Sequence, residues 1–338
     1  MNERRLIKHL GIGFIVALLL GILGAAYAHA ASQTVISYAS FNERTAGALL
    51  VAEDQGFFRK QGLDVRLVYV RAGNVALSAL AAGESQFYFG SGTGVTLGAV
   101  AGGLDGVFVA GLVNRLTGTF VVHPQIKTPA ELKGRNIGVQ SIGGGIWMIT
   151  MLVLDHWGID PKRDRINLRI VGDEAILAQA LTTNTIEGTY LGYTFGSLMK
   201  RQGFNVLADL AALKIPYQST GVFVRRSFLN ASPETVEKVL RAMTQAIAYI
   251  EKPENKTSVM TSLFKGLRLP RFQDAEEGYE LMRTLYEQRI YPNAEGIRNA
   301  IRLLGRSNEK IRQLKAEDMV DDRIVRKLEK EGAFERTR

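Results

Sequence analysis

From Thr34 onward, segments of strand length alternate with segments of helix length, and few folds accept that order. Val35 to Ala39 reads as a strand, and Ala46, Leu49, Leu50 and Phe57 mark one apolar helical face punctuated by Gly56 and Gly62. Leu63, Val65, Leu67 and Tyr69 then alternate with Asp64, Arg66 and Val68, a period of two. A helix over Val75–Ala82 stops at Gly83, Gln86–Phe89 forms a third strand, Thr93–Ala101 a helix and Val107–Val113 a fourth strand. Parallel neighbours need a crossover of about this length, so the pattern predicts βαβ units and a parallel sheet.

The same order restarts at Phe120-Val121-Val122. Thr128-Pro129-Ala130-Glu131 combines a capping box with proline at the first helical position. Strands over 135–139, 166–171 and 185–190 follow, interleaved with helices over 146–157, 173–183 and 195–202. Glycine recurs after helices at Gly134, Gly158 and Gly203, where a left-handed residue ends a helix at little cost. Two α/β units therefore follow one another, joined near Asn114–Gly118, with a shared architecture and no close sequence repeat. After Tyr217 the order changes. Gly221–Val224 is one more strand, and Ser232-Pro233 opens a long helix with Val236, Val239, Leu240, Met243, Ala246, Ile247 and Ile250 on one face. Residues 256–333 read as further amphipathic helices.

Ahead of all this, Met1–Lys8 is basic, Leu10–Ala26 is apolar and uncharged, and Ala28-His29-Ala30 puts small residues at the −3 and −1 positions of a cleavage site. That is how a secretory signal peptide cleaved after Ala30 reads. An uncleaved anchor is the competing reading, because the run approaches spanning length. The chain has no cysteine, which excludes disulfides and a lipidated leader. Without Glu3, Arg4, Arg5 and Lys8 the remainder carries 39 basic and 32 acidic side chains, a net +7. Those charges are scattered rather than clustered, which argues against nucleic acid as a partner. The expected product is a free periplasmic protein.

Several blocks resemble a known family. Ala52-Glu53-Asp54-Gln55-Gly56-Phe57-Phe58-Arg59-Lys60-Gln61-Gly62-Leu63-Asp64-Val65 is similar to a stretch of the periplasmic solute-binding proteins of ABC transporters, in the nitrate, sulfonate and taurine branch (SsuA/THI5-like, NMT1-like). Ala79-Leu80-Ala81-Ala82-Gly83-Glu84, Ile126-Lys127-Thr128-Pro129-Ala130-Glu131-Leu132-Lys133-Gly134, Gly158-Ile159-Asp160-Pro161 and Gly203-Phe204-Asn205-Val206-Leu207 follow in the family's order. The likeness runs from about residue 35 to 334. It implies a two-lobed type II periplasmic binding fold, each lobe a mostly parallel sheet flanked by helices, with extra C-terminal helices. By that analogy lobe I takes 34–113 plus 219–338 and lobe II takes 119–214, with hinge crossings near 114–118 and 215–218. The implied partners are a small-molecule solute and a membrane permease with its ATPase. The implied protein is a monomer and needs no cofactor or metal. Departures from the family occur at Gln86, where an acidic residue is usual, and around Tyr193–Thr194, where a proline is missing; the cysteine-rich motif of the thiamine-precursor synthases is also absent. They leave the solute open.

In open parallel sheets a ligand lies beyond the carboxyl ends of the strands, where helix N-termini present unpaired N–H groups and partial positive charge. Ser141-Ile142-Gly143-Gly144-Gly145 joins a strand to a helix and suits an anion-accepting turn, its bare glycine backbone open to a close ligand. Close packing of helix on sheet is the alternative. The matching turns in lobe I are Ser40-Phe41-Asn42, Ala72-Gly73-Asn74 and Ser91-Gly92-Thr93, whose polar groups suit a ligand or a helix cap. In lobe II, Asp173 suits an amine or its own helix. Tyr193, Tyr217 and Trp147 are candidates for stacking on the solute, and core positions otherwise. Asn114, at the first crossing, suits the ligand or the hinge.

An enzyme is the rival class. Outside the leader only His123 and His156 remain, without metal-ligand spacing, and neither H-E-x-x-H, G-x-S-x-G nor a Gly-Lys phosphate loop occurs. The reading is therefore a receptor for a small polar, anionic organic solute. A sensory module on the same fold is its alternative.

Overall fold

The computed structural model describes residues 33–335 apart from Phe41 and Arg71, so the expected leader lies outside the described residues. Ten strands form two five-stranded sheets among the described residues. The first contains β1 (Thr34–Tyr38), β2 (Val65–Tyr69), β3 (Phe87–Gly90), β4 (Gly106–Arg115) and β10 (Pro216–Arg225) in the order β2-β1-β3-β10-β4. The second contains β5 (Thr119–Val122), β6 (Asn136–Val139), β7 (Asn167–Ile170), β8 (Gly188–Leu191) and β9 (Asn205–Asp209) in the order β7-β6-β8-β5-β9. In each sheet the three strands that follow the βαβ pattern are parallel. One strand breaks the rule in each: the late β10 is antiparallel to β3 and β4, and the early β5 to β8 and β9.

Helices of at least seven residues are numbered α1 (Ala48–Asp54), α2 (Gly73–Ala82), α3 (Gly94–Ala101), α4 (Gly145–His156), α5 (Glu174–Thr182), α6 (Tyr193–Arg201), α7 (Pro233–Glu251), α8 (Lys256–Gly266), α9 (Glu276–Leu285), α10 (Ala294–Leu304) and α11 (Arg323–Lys330). Helix α7 buries the face read from sequence, with Val236, Val239, Leu240, Met243, Ala246, Ile247 and Ile250 all covered. The Thr128–Glu131 capping box is present but heads only a 3-10 turn over Pro129–Leu132, because Lys133 leaves helical geometry and Gly134 turns left-handed. Gln86, the departure from the family pattern, ties β1 to the end of α2: its Oε1 accepts from Val35 N at 2.8 Å and its Nε2 donates to Gly83 O at 3.2 Å.

β10 is longer than its sequence suggests. Gly221–Val224 reads as the strand, yet pairing with β4 begins at Pro216, opposite Arg115. The extra residues Gln218, Ser219 and Thr220 are polar and fully buried. A polar run of this kind looks like a loop in sequence, and only the strand on either side shows otherwise. Among the described residues no helix is long and apolar enough to cross a membrane.

Candidate functional site

Three strands drawn from both sheets end at one gap. Ala39 and Ser40 follow β1, Ser91 follows β3, and Gln140 and Ser141 follow β6; all of them line a single cavity. The starts of three helices complete it: Gly73 of α2, Thr93 and Val95 at α3, and Gly144 and Gly145 at α4. The first N–H groups of a helix have no partner within it and carry the positive end of its dipole, so this wall is rich in donors. Free space amounts to about 20 Å³, on the scale of a single water. The gap is shut.

Contacts between the two halves hold it shut. Val95 N, in α3, donates to Gly143 O at 2.9 Å, backbone to backbone. A Cβ on Gly94 would stand 3.3 Å from Gly143 Cα, close enough to push the two turns slightly apart. Gly143 itself takes φ +77°, a region that glycine enters freely. Asn42 Nδ2 donates to Glu174 Oε1 at 2.8 Å, while the other oxygen of Glu174 accepts from Gly192 N at 2.8 Å. At the rim, Arg302 and Arg306 of the C-terminal region reach Asp155 at 2.8 and 2.7 Å.

Sequence reading missed a buried charged pair beside this gap. Glu43 and Arg44 lie in a single π-helical turn, Glu43–Gly47, capped by Asn42, whose side chain accepts from Thr45 N. Tyr286 pins that turn from behind, donating to Glu43 O at 2.8 Å and accepting from Ala48 N at 3.0 Å. Arg44 Nη1 donates to Ser219 Oγ at 2.9 Å. The Glu43 carboxylate faces Thr194 Oγ1, which donates to it across the gap at 3.5 Å.

Burial, and after it the charge of Glu174, raises Glu43 to about 7. An acid whose pKa is higher folded than unfolded makes the folded form the better proton binder. Its stabilising effect is complete below the ordinary carboxylate range and disappears as pH rises to about 7. Thermal unfolding between pH 5 and 8 should therefore show stability falling with pH, by up to about 3 kcal/mol from this group. Glu43→Gln should flatten that slope, and a variant with the parent's slope would remove Glu43 as its source.

The sequence candidates separate into three groups. Ser40, Gly73, Ser91, Thr93, Ser141, Gly144 and Gly145 line the cavity. Asn42, Gly92, Gly143, Asn114 and Tyr217 lie around it in other roles. Gly92 N donates to Gln218 O at 2.8 Å. Asn114 ties the crossings together, donating from Nδ2 to Tyr291 O at 2.9 Å and accepting from Gln218 Nε2 at 3.2 Å. Tyr217 is fully buried. The remaining four point elsewhere. Asn74 borders a separate groove between α2 and α3. Trp147 packs on the apolar core of the second sheet's helices. Asp173 caps α5, accepting from Ile176 N at 3.2 Å, and Tyr193 donates to Asp209 at 2.6 Å. Phe41 is outside the described residues. Among the described residues no three metal-ligating side chains gather.

Comparison with known proteins agrees with this architecture. The family model described as NMT1/THI5 like matches residues 44–256. A putative binding protein, YtlA, from Bacillus subtilis (strain 168) is 29% identical over 215 residues, 62% of this chain and 63% of the relative's length. The chain therefore aligns with less than two thirds of that relative. Among solved structures, the alkanesulfonate-binding protein SsuA from Xanthomonas axonopodis pv. citri, bound to MOPS, superposes with a TM-score of 0.69 at 18% identity, covering 86% of this chain and 98% of that one. The periplasmic nitrate-binding protein NrtA from Synechocystis PCC 6803 superposes with a TM-score of 0.73 at 14% identity, covering 89% of each. At such identities these likenesses speak for the fold, which is the two-lobed periplasmic binding fold.

Proposed function

The chain belongs to the NMT1/THI5-like family, and from that premise we propose that it is an extracytoplasmic receptor that closes on a small polar, anionic organic solute and delivers it to an ABC importer. The observation that carries this reading is the cavity between the lobes, walled by the carboxyl ends of strands from both sheets and by the first turns of α2, α3 and α4. Each helix start contributes about 0.3–1 kcal/mol toward an anion, and up to ~2 when partly buried. Several acting together approach the ~8 kcal/mol of a micromolar Kd.

In this reading lobe I comprises 34–113 plus 219–338 and lobe II comprises 119–214. The crossings near 114–118 and 215–218 act as the hinge. A cavity of about 20 Å³ is too small for an organic solute, so the form described here is the closed one and entry requires hinge opening. The leader directs export and is cleaved after Ala30, and the mature monomer works in the periplasm with a permease and its ATPase. A sensory receptor would use the same clamp and differ only in the membrane partner.

Thermal-shift screening of the mature chain against sulfonates, carboxylates, aromatic acids and pyrimidines is the decisive test. A true ligand at a hundredfold excess over Kd should stabilise the protein by about 2.7 kcal/mol. Turnover of a compound without stabilisation by any would favour an enzyme instead.

A further inference from the structure

Arg44 carries a buried charge that the protein itself leaves incompletely matched. The residue is 5% exposed. Besides its bond to Ser219, its guanidinium carbon lies 5.8 Å from the centre of the Tyr190 ring, which belongs to the second sheet. Arg44 is thus held between the two halves. Among the described residues its Nε has no hydrogen-bond partner, and no carboxylate oxygen lies within 4.0 Å of its nitrogens.

Glu174 and Glu43 favour the charge of Arg44 through space, but neither carboxylate comes within 4.0 Å of its nitrogens. Both oxygens of Glu174 are taken, by Asn42 and by Gly192 N, and Glu43 faces Thr194. An arginine buried for structure alone is ordinarily bonded through its fork to a carboxylate, since an uncompensated charge in the interior is expensive. A second unsatisfied donor accompanies it. The Tyr217 hydroxyl, fully buried, lies beside the Ser91 hydroxyl without a well-formed hydrogen bond among the described residues. Arg44 and Tyr88 are its electrostatic neighbours, and Tyr88 lines the cavity. Ser91, also on the cavity wall, donates its hydroxyl to the Ser219 carbonyl. The orphan donors and the cavity therefore adjoin one another.

We infer that Arg44, supported by Tyr217 and Ser219, is the recognition point for a singly charged, oxygen-rich head group of the solute, a carboxylate or sulfonate. The edge formed by Nε and Nη2 matches two oxygens of such a group. A doubly charged head group is disfavoured, because Glu174 is fixed close by and Glu43 stands next to it in sequence. The inference rests on the receptor reading of the cleft and adds the charge class and its anchor.

The test is calorimetric titration of the mature chain at pH 8 with alkanesulfonates and aryl carboxylates, each beside its neutral amide and its phosphonate counterpart. The singly charged member should bind tightest. Arg44→Gln should weaken it by roughly a hundredfold while leaving the amide unchanged, and Arg44→Lys, which keeps charge but loses the fork, by about tenfold. Tyr217→Phe removes a hydroxyl whose neighbour, Ser91, already donates to the Ser219 carbonyl, so the ligand-free protein should melt close to the parent's temperature, yet anion affinity should fall by several-fold. That variant keeps the test informative if Arg44→Gln does not fold. An amide or phosphonate that binds more tightly than its singly charged relative would overturn the inference, as would affinities within twofold of the parent in both Arg44→Lys and Tyr217→Phe. Binding of no compound at all would defeat the receptor reading beneath it.

Discussion

Replacing Gly144 with leucine should eliminate solute binding and leave a folded protein. Gly144 lines the cavity and caps α4 with φ −77° and ψ −176°, an extended conformation that any residue adopts. A Cβ there would come within 2.4 Å of Ser141 Oγ, a hydroxyl that can swing aside. The remainder of the leucine side chain enters a space of about 20 Å³, where a ligand's head group would compete with it. The stability cost should stay within about 1–3 kcal/mol, as for other overfilled sites, whereas affinity should drop more than about a hundredfold. Thermal unfolding with and without ligand reads both: a melting temperature near the parent's and no ligand-induced shift. Gly94→Val provides a second route to the same loss, since its side chain would meet Gly143 and hold the halves apart. Unchanged affinity in Gly144→Leu would refute the role given to the glycine run.

Gly296→Ala should be among the most damaging single-methyl changes in the protein. A Cβ at this position would lie 2.5 Å from Gln218 N, 2.6 Å from Tyr217 C and 2.7 Å from Tyr217 Cα. These are backbone atoms and cannot rotate away, so α10 would have to lift off β10. The seat is also wired. Asn293 caps α10 by accepting from Gly296 N at 2.8 Å, takes the Gln218 side chain on its own N–H at 2.7 Å, and donates from Nδ2 to Asn114 O at 2.8 Å. One network thus joins both crossings to the helix, and displacing α10 breaks all of it. The expected loss is about 1–3 kcal/mol or more, seen as a melting temperature several degrees lower. Gly98→Ala is the control. Nothing lies within 4 Å of a Cβ there, and alanine in a helix interior should stabilise by roughly 0.5–1 kcal/mol. Equal behaviour of the two variants would show that the contact at Gly296 is not tight.

Strand–helix order was legible because it rests on local periodicity, and the helix-start turns were legible because glycine, serine and threonine mark them. The charged heart of the site was not. Asn42 stands out only as a turn residue, and nothing within Glu43-Arg44-Thr45 announces that Tyr286, Ser219 and Tyr190, all more than a hundred residues away, will cover it. Burial of this kind is a tertiary outcome. Two of the aromatic candidates already have partners within the protein. Trp147 and Tyr193 sit at the right turns, but the core claims the first and Asp209 the second. Asp173 took the cap that its position beside a helix also allowed.

The placement of β10 has a consequence for how the chain is made. Every strand of the second sheet comes from one uninterrupted stretch, 119–209, whereas β4 joins the first sheet only through β10, which is synthesised a hundred residues later. While the chain is being synthesised, the half that holds the second sheet has all its strands in hand, but the half that holds the first must wait with an open seam, its apolar strands uncovered and at risk of sticking to others. A chain cut short before Pro216 would thus yield one finished half tethered to one that cannot complete itself.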